Sequence, residues 1–78
     1  MTRTEFIAEV AFILNEDPAQ LTGNRLLAST QGFDSAGILG LIAFFDAQLG
    51  VKINVDALRN AKKVDDLAAF ATGKITEG

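Results

Sequence analysis

The sequence predicts an all-α fold, a small bundle of three main helices plus one short helix with a long first loop. Three observations predict it. Two runs place apolar residues at spacings of three and four, the pattern of a buried helical face. Pro18 and Gly50 stand where those runs end. The one alternating stretch, Val51-Lys52-Ile53-Asn54-Val55, is short and has no partner run, so no sheet is expected. With 78 residues, 49% of them hydrophobic and 22% charged, the chain can bury one core and is read as a single domain over 1–78. The ordered part is expected over about residues 3–72.

The first helix is expected over residues 3–15. Thr2 and Glu5 have the spacing of a capping box, and Phe6, Ile7, Val10, Ile13 and Leu14 share one face, with Phe12 off it. Asp17-Pro18 closes the helix, because the residue before a proline is pushed out of the α region. Between 18 and 33 the turn residues Thr22-Gly23-Asn24 and Gln31-Gly32 bracket Leu21, Leu26 and Leu27. A loop this long is expected to be tethered by packing those leucines on the core, with a short helical turn at 25–29.

The second helix is expected over residues 35–49, stopped by Gly50 in the left-handed conformation. At about 100° per residue, Ile38, Leu41, Ile42, Phe45 and Leu49 form its core face. Opposite them Ala36, Gly40, Ala43 and Ala47 fall within an arc of roughly 60°, flanked by Leu39 and Phe44. An extended connector follows, then one helical turn at 56–60. The last helix, over about 63–72, buries Val64, Leu67, Ala68 and Ala71, and a frayed tail closes the chain at 73–78. Lys62-Lys63 beside Asp65-Asp66 reads as a solvated helix start, since acids favour the first turn.

Composition narrows the function classes. There is no Cys and no His, which removes thiol chemistry, the usual base near neutral pH, and the commonest metal ligand. No enzyme and no metal site is expected, the acids occurring only in ones and twos. A net charge of −3 with seven scattered basic residues argues against nucleic acid. Glu5 and Glu9 within the first apolar run exclude an export signal there, and the longest uncharged apolar run, 36–45, is about half of what spans a bilayer. A cytoplasmic monomer without membrane insertion is the expectation.

One stretch carries chemistry: Gly-Phe-Asp-Ser-Ala-Gly-Ile-Leu-Gly-Leu-Ile-Ala-Phe-Phe-Asp-Ala-Gln-Leu-Gly, residues 32–50. Read alone, Asp34-Ser35 is a helix cap, since both residues are preferred at helix starts. Ser29, the only other serine, precedes no comparable helix. Read with the order of elements over 3–72, the stretch resembles the acyl carrier protein and peptidyl carrier protein family. The resemblance implies that a phosphopantetheinyl transferase attaches 4′-phosphopantetheine, taken from coenzyme A, to Ser35. It further implies an acyl or aminoacyl thioester on the arm, loaded by an activating ligase and delivered to a downstream synthase or transferase. Asp34 would cap the helix and contact the transferase. Ala36, Gly40, Ala43, Ala47, Leu39 and Phe44 would meet partners, as would Val55, Leu58 and Ala61 around the short helix. For Phe44 and Leu58 a place in the core is the simpler expectation.

The chain departs from the family pattern after the serine. Ala36 stands where a bulky residue, often Leu, is common in the family, and Gly37, Gly40 and Ala47 stand along the helix where acidic side chains are often found. Asp46 is the only acid left on the helix, so electrostatic steering along it is expected to be weak and a specialised pathway is favoured over housekeeping fatty-acid synthesis. Each glycine weakens a helix by about 1 kcal/mol relative to alanine. Two explanations stand: the small residues admit a docking partner, or the glycines relieve crowding inside a small bundle. The alternative function is a non-catalytic helical module for protein–protein interaction, using the small-residue face with Ser35 as a cap only.

Overall fold

The structure, a computed structural model, describes residues 1–77. Four helices form a small all-α bundle: α1 (Arg3–Leu14), α2 (Ser35–Phe44), α3 (Val55–Arg59) and α4 (Val64–Ala69). No strand occurs among the described residues. The capping box at the head of α1 forms as expected. Thr2 Oγ1 accepts from Glu5 N at 3.1 Å and Glu5 Oε1 accepts from Thr2 N at 2.8 Å, satisfying two backbone donors that the helix itself leaves free. α1 buries Phe6, Val10, Ala11 and Leu14, while Ile7 and Ile13 are half-buried and Phe12 is 84% exposed. It ends at Asn15, which takes the left-handed conformation with φ 56°.

α1 and α2 run antiparallel: Leu14 packs beside Gly37, Ile13 beside Gly40, and Phe6 against both Phe44 and Phe45. The far end of this pair is filled by phenylalanines. Phe6, Phe44 and Phe45 meet pairwise with ring centroids 5.6–6.0 Å apart, and Phe70 joins Phe45 edge-on at 6.4 Å, geometries that favour aromatic pairs beyond their burial. The near end, around Gly32 and Gly37, is packed by small residues.

The buried face of α2 differs from the expected one. Gly37, Ile38, Leu41, Phe44, Phe45 and Leu49 are inside, and Ile42 is only half-buried. The helix is therefore turned by roughly 50° from the projection based on bulky residues alone. The glycine allows close approach at one end, and Phe44 fills the space beside Phe6 at the other. After Phe44 the helix widens into a π turn, Phe45–Leu49, before Gly50 stops it with φ 67°. Val51 N then donates back to the Phe45 carbonyl at 3.0 Å.

The long first loop is tied down, though not by all three leucines. Leu21 and Leu27 are buried, but Leu26, expected on the core, is 53% exposed. Arg25 and Leu26 run beside the approach to α4, with Leu27 N donating to Lys62 O at 2.8 Å and Val64 N to Arg25 O at 3.1 Å. Leu26, extended and bridged to Lys63, faces out, and Leu27, at the start of the turn that follows, faces in. The expected helical turn is a single 3₁₀ turn, Leu27–Ser29, and another caps the loop's start at Pro18–Gln20.

α4 is shorter than expected, its end relaxing into tighter turns through Thr72 that still bury Ala71. The tail is not frayed where it is described. Thr76 N donates to Met1 O and Arg3 N to Thr76 O, both at 2.9 Å, and Ile75 packs against the core; Gly78 lies outside the described residues.

Candidate functional site at the start of α2

Ser35 is the first residue of α2 and is exposed. Its place is set by its neighbours. Asp34, in extended conformation, is the N-cap: its Oδ1 accepts from Gly37 N at 2.9 Å and its carbonyl from Ile38 N at 2.8 Å. The helix start is thereby capped without using the serine hydroxyl. The backbone N–H groups of Ser35 and Ala36 find no acceptor among the described residues, as the geometry of a first turn requires.

Close packing fixes this end of the bundle. A Cβ on Gly32 would collide with the Leu14 carbonyl, and one on Gly37 with the Gly32 carbonyl, so the loop before Ser35 and the first turn of α2 sit tightly against the end of α1. Both obstacles are backbone. Between the ends of α1 and α2 lies an open groove of about 440 Å³ whose walls include Asn15, Glu16, Gln31, Asp34 and Ala36.

Chemically, the site presents an exposed hydroxyl next to a capping carboxylate. The chain holds no His or Cys, the adjacent carboxylate is engaged in capping, and no cluster of metal-ligating side chains occurs among the described residues. A phosphate ester on Ser35 nonetheless fits: two free N–H groups and the positive end of the helix dipole favour an anion there, worth a fraction of a kcal/mol or more. The Asp34 carboxylate, one residue away, opposes it. An exposed position leaves room for a second protein to reach the oxygen.

The other expected site residues divide sharply. Ala36, Leu39, Ala43 and Ala47 are exposed, Leu39 by 61%, so the outward face of α2 is apolar and small as expected. Phe44 and Leu58 are core residues without surface to offer, which corrects the expectation of direct partner contact through them. Gly40 is half-buried, with the place of its missing Cβ 2.9 Å from Ile13 Cγ2, so it serves the seam between α1 and α2. Val55 and Ala61 are half-buried against the core. Asn15 and Gln31 were not singled out by sequence reasoning. The signal for Asn15 existed: an Asn directly after the last apolar residue of a helix is a favoured left-handed stop.

No helix among the described residues is long and apolar enough to cross a membrane. Neither the models of known protein families nor the curated proteins give a match to the chain.

Proposed function

We propose that the chain is a non-catalytic carrier protein whose Ser35 bears a 4′-phosphopantetheine arm. The observation that carries this reading is an exposed serine at a helix start whose capping duty is already taken by Asp34. A serine retained only as a cap would be expected to make that bond itself. The resemblance of the Asp34-Ser35 stretch to carrier proteins supplies the chemistry. In the attachment step Ser35 Oγ forms a bond to the phosphorus next to pantetheine, the diphosphate bond of coenzyme A breaks, and adenosine 3′,5′-bisphosphate leaves. The hydroxyl proton passes to the transferase, the neighbouring Asp34 carboxylate being held as the helix cap.

When bound, the arm supplies a terminal thiol for an acyl or aminoacyl thioester. The chain's own residues do the rest: Asp34 holds the helix start, the free N–H groups of Ser35 and Ala36 face the phosphate, and the uncharged surface of Ala36, Leu39, Ala43 and Ala47 meets partner enzymes. On this reading the protein works in the cytoplasm with a phosphopantetheinyl transferase, an activating ligase and a downstream synthase or transferase. Exposed Leu39 also favours a second reading, a helical interaction module that carries no arm.

Intact mass separates the two. The protein and its Ser35→Ala variant are incubated with coenzyme A, Mg²⁺ and a broad-specificity phosphopantetheinyl transferase. A carrier gains one phosphopantetheine in the parent and none in the variant; no gain in the parent refutes the carrier reading. Docking is tested at Ala43, because Gly40→Glu would disturb the contact with Ile13. Ala43→Glu should slow loading by the partner ligase while leaving the fold intact.

A further inference from the structure

We infer that the groove between the end of α1 and the start of α2 is a resting site for the neutral part of the tethered arm, an inference that rests on the carrier reading above. Its position comes first. Asp34 and Ala36, the residues on either side of Ser35, form part of its wall, so a chain attached to Ser35 Oγ starts at the groove's edge. Two other grooves of the surface, one beside Ile7 and Pro18 and one beside Leu26 and Arg59, include neither neighbour of Ser35. Size comes second: about 440 Å³ lies within the roughly 300–1,000 Å³ of clefts that hold small molecules.

Chemistry decides which part of the arm belongs there. Asn15 and Gln31 each bring a primary amide, able to donate and to accept, and half-buried Ile13 brings an aliphatic side chain. Pantetheine is a chain of two secondary amides, a hydroxyl and paired methyl groups, so amide meets amide and methyl meets aliphatic side chain. Among the described residues no Lys or Arg lines the groove, whereas Glu16 and Asp34 do. Phosphates, carboxylates and free nucleotides are thereby disfavoured inside it, and the phosphodiester stays outside at the N–H groups of α2. The groove is also preformed, because Gly32 and Gly37 pack against backbone oxygens that cannot shift independently. Weak contacts suffice: a short tether holds its free end at an effective concentration in the mM range.

The test uses the arm's origin. Protein labelled with ¹³C and ¹⁵N is loaded enzymatically from unlabelled coenzyme A, its mass is recorded, and an isotope-filtered NOESY reads contacts between arm protons and the protein. The expected result is a set of cross-peaks from the arm's methyl and methylene protons to the Asn15 and Gln31 side-chain amides and to the Ile13 methyls. In the double variant Asn15→Gly, Gln31→Ala the remaining cross-peaks, those to the Ile13 methyls, should be lost while the mass gain persists. Both residues are exposed, and glycine keeps the left-handed backbone at 15, so an unchanged melt of the apo variant verifies its fold. Loading with cross-peaks elsewhere, with none, or with cross-peaks that survive in the variant overturns the groove but leaves the carrier reading intact. Absence of loading overturns both.

Discussion

Replacing Gly37 by alanine sets two effects of similar size against each other. Within a helix alanine is favoured over glycine by about 1 kcal/mol, so an isolated α2 would gain. In the folded protein the new Cβ collides with the Gly32 carbonyl and stands 3.1 Å from Leu14 Cδ2. The Gly32 carbonyl has nowhere to go, since Gly32 is itself pressed against the Leu14 carbonyl. α2 must back away from α1, and overpacking of this kind costs about 1–3 kcal/mol before the looser packing along Leu14 and Ile38 adds its own penalty. The net is a loss of roughly 1–2 kcal/mol, which for a domain of this size lowers Tm by roughly 5–15 °C. Gly40→Ala is the control. It gains the same helix term, and its obstacle is Ile13 Cγ2 at 2.9 Å, a branch methyl rather than backbone, whose displacement against a stiff χ1 costs about 0.5–1.5 kcal/mol and offsets that gain. Its stability should stay near that of the parent. Thermal melts followed by circular dichroism read both. A Gly37→Ala protein at least as stable as the parent, or an equal fall for Gly40→Ala, would refute this account of the packing.

Asp34→Ala removes the acceptor of Gly37 N and should lower stability by about 1 kcal/mol in urea unfolding, whereas Ser35→Ala should change it by less than about 0.5 kcal/mol. Asp66 accepts from the backbone N–H of Lys62 and of Lys63, and these bonds hold its carboxyl below the usual aspartate value. A carboxyl depressed in the folded state stabilises above its unfolded value and loses that contribution as pH falls through the folded one. Tm should therefore drop more steeply on acidification in the parent than in Asp66→Asn, and parallel curves would count against the cap. Glu5, lowered by its bond to the Thr2 backbone, should behave in the same way. Phe6→Ala should cost about 3–5 kcal/mol, comparable to the whole stability of so small a core, and leave little folded signal by circular dichroism. Phe12→Ser should melt within a few degrees of the parent.

The positions of the helices were legible because their signals are local. Thr2 and Glu5 announce α1, Asp34 announces α2, and Gly50 ends it, each within a turn of the residue it affects. The placement of Ser35 followed from the same local chemistry. What stayed hidden depends on partners distant in the chain. The roll of α2 is set by Phe6 and Leu14 across the seam, and Gly40 reads as an outward residue until Ile13 is placed beside it. Leu26 reads as core because bulk was followed, yet its lone bridge to Lys63, far along the chain, leaves it facing out. The groove is assembled from the end of one helix, a loop and the start of another, so neither Asn15 nor Gln31 carries a sign of it alone.

The pairing of Thr76 with Met1 and Arg3 brings Met1 and the segment around Thr76 together at the head of α1. That head lies one helix length, about 18 Å, from the turn that meets Gly37 and leads to Ser35. An affinity handle or a sensor-chip linkage joined at Met1 therefore attaches at the opposite pole from the serine. Immobilised this way, every molecule displays its hydroxyl outward, and binding of a candidate enzyme can be followed without the mount competing for the same surface.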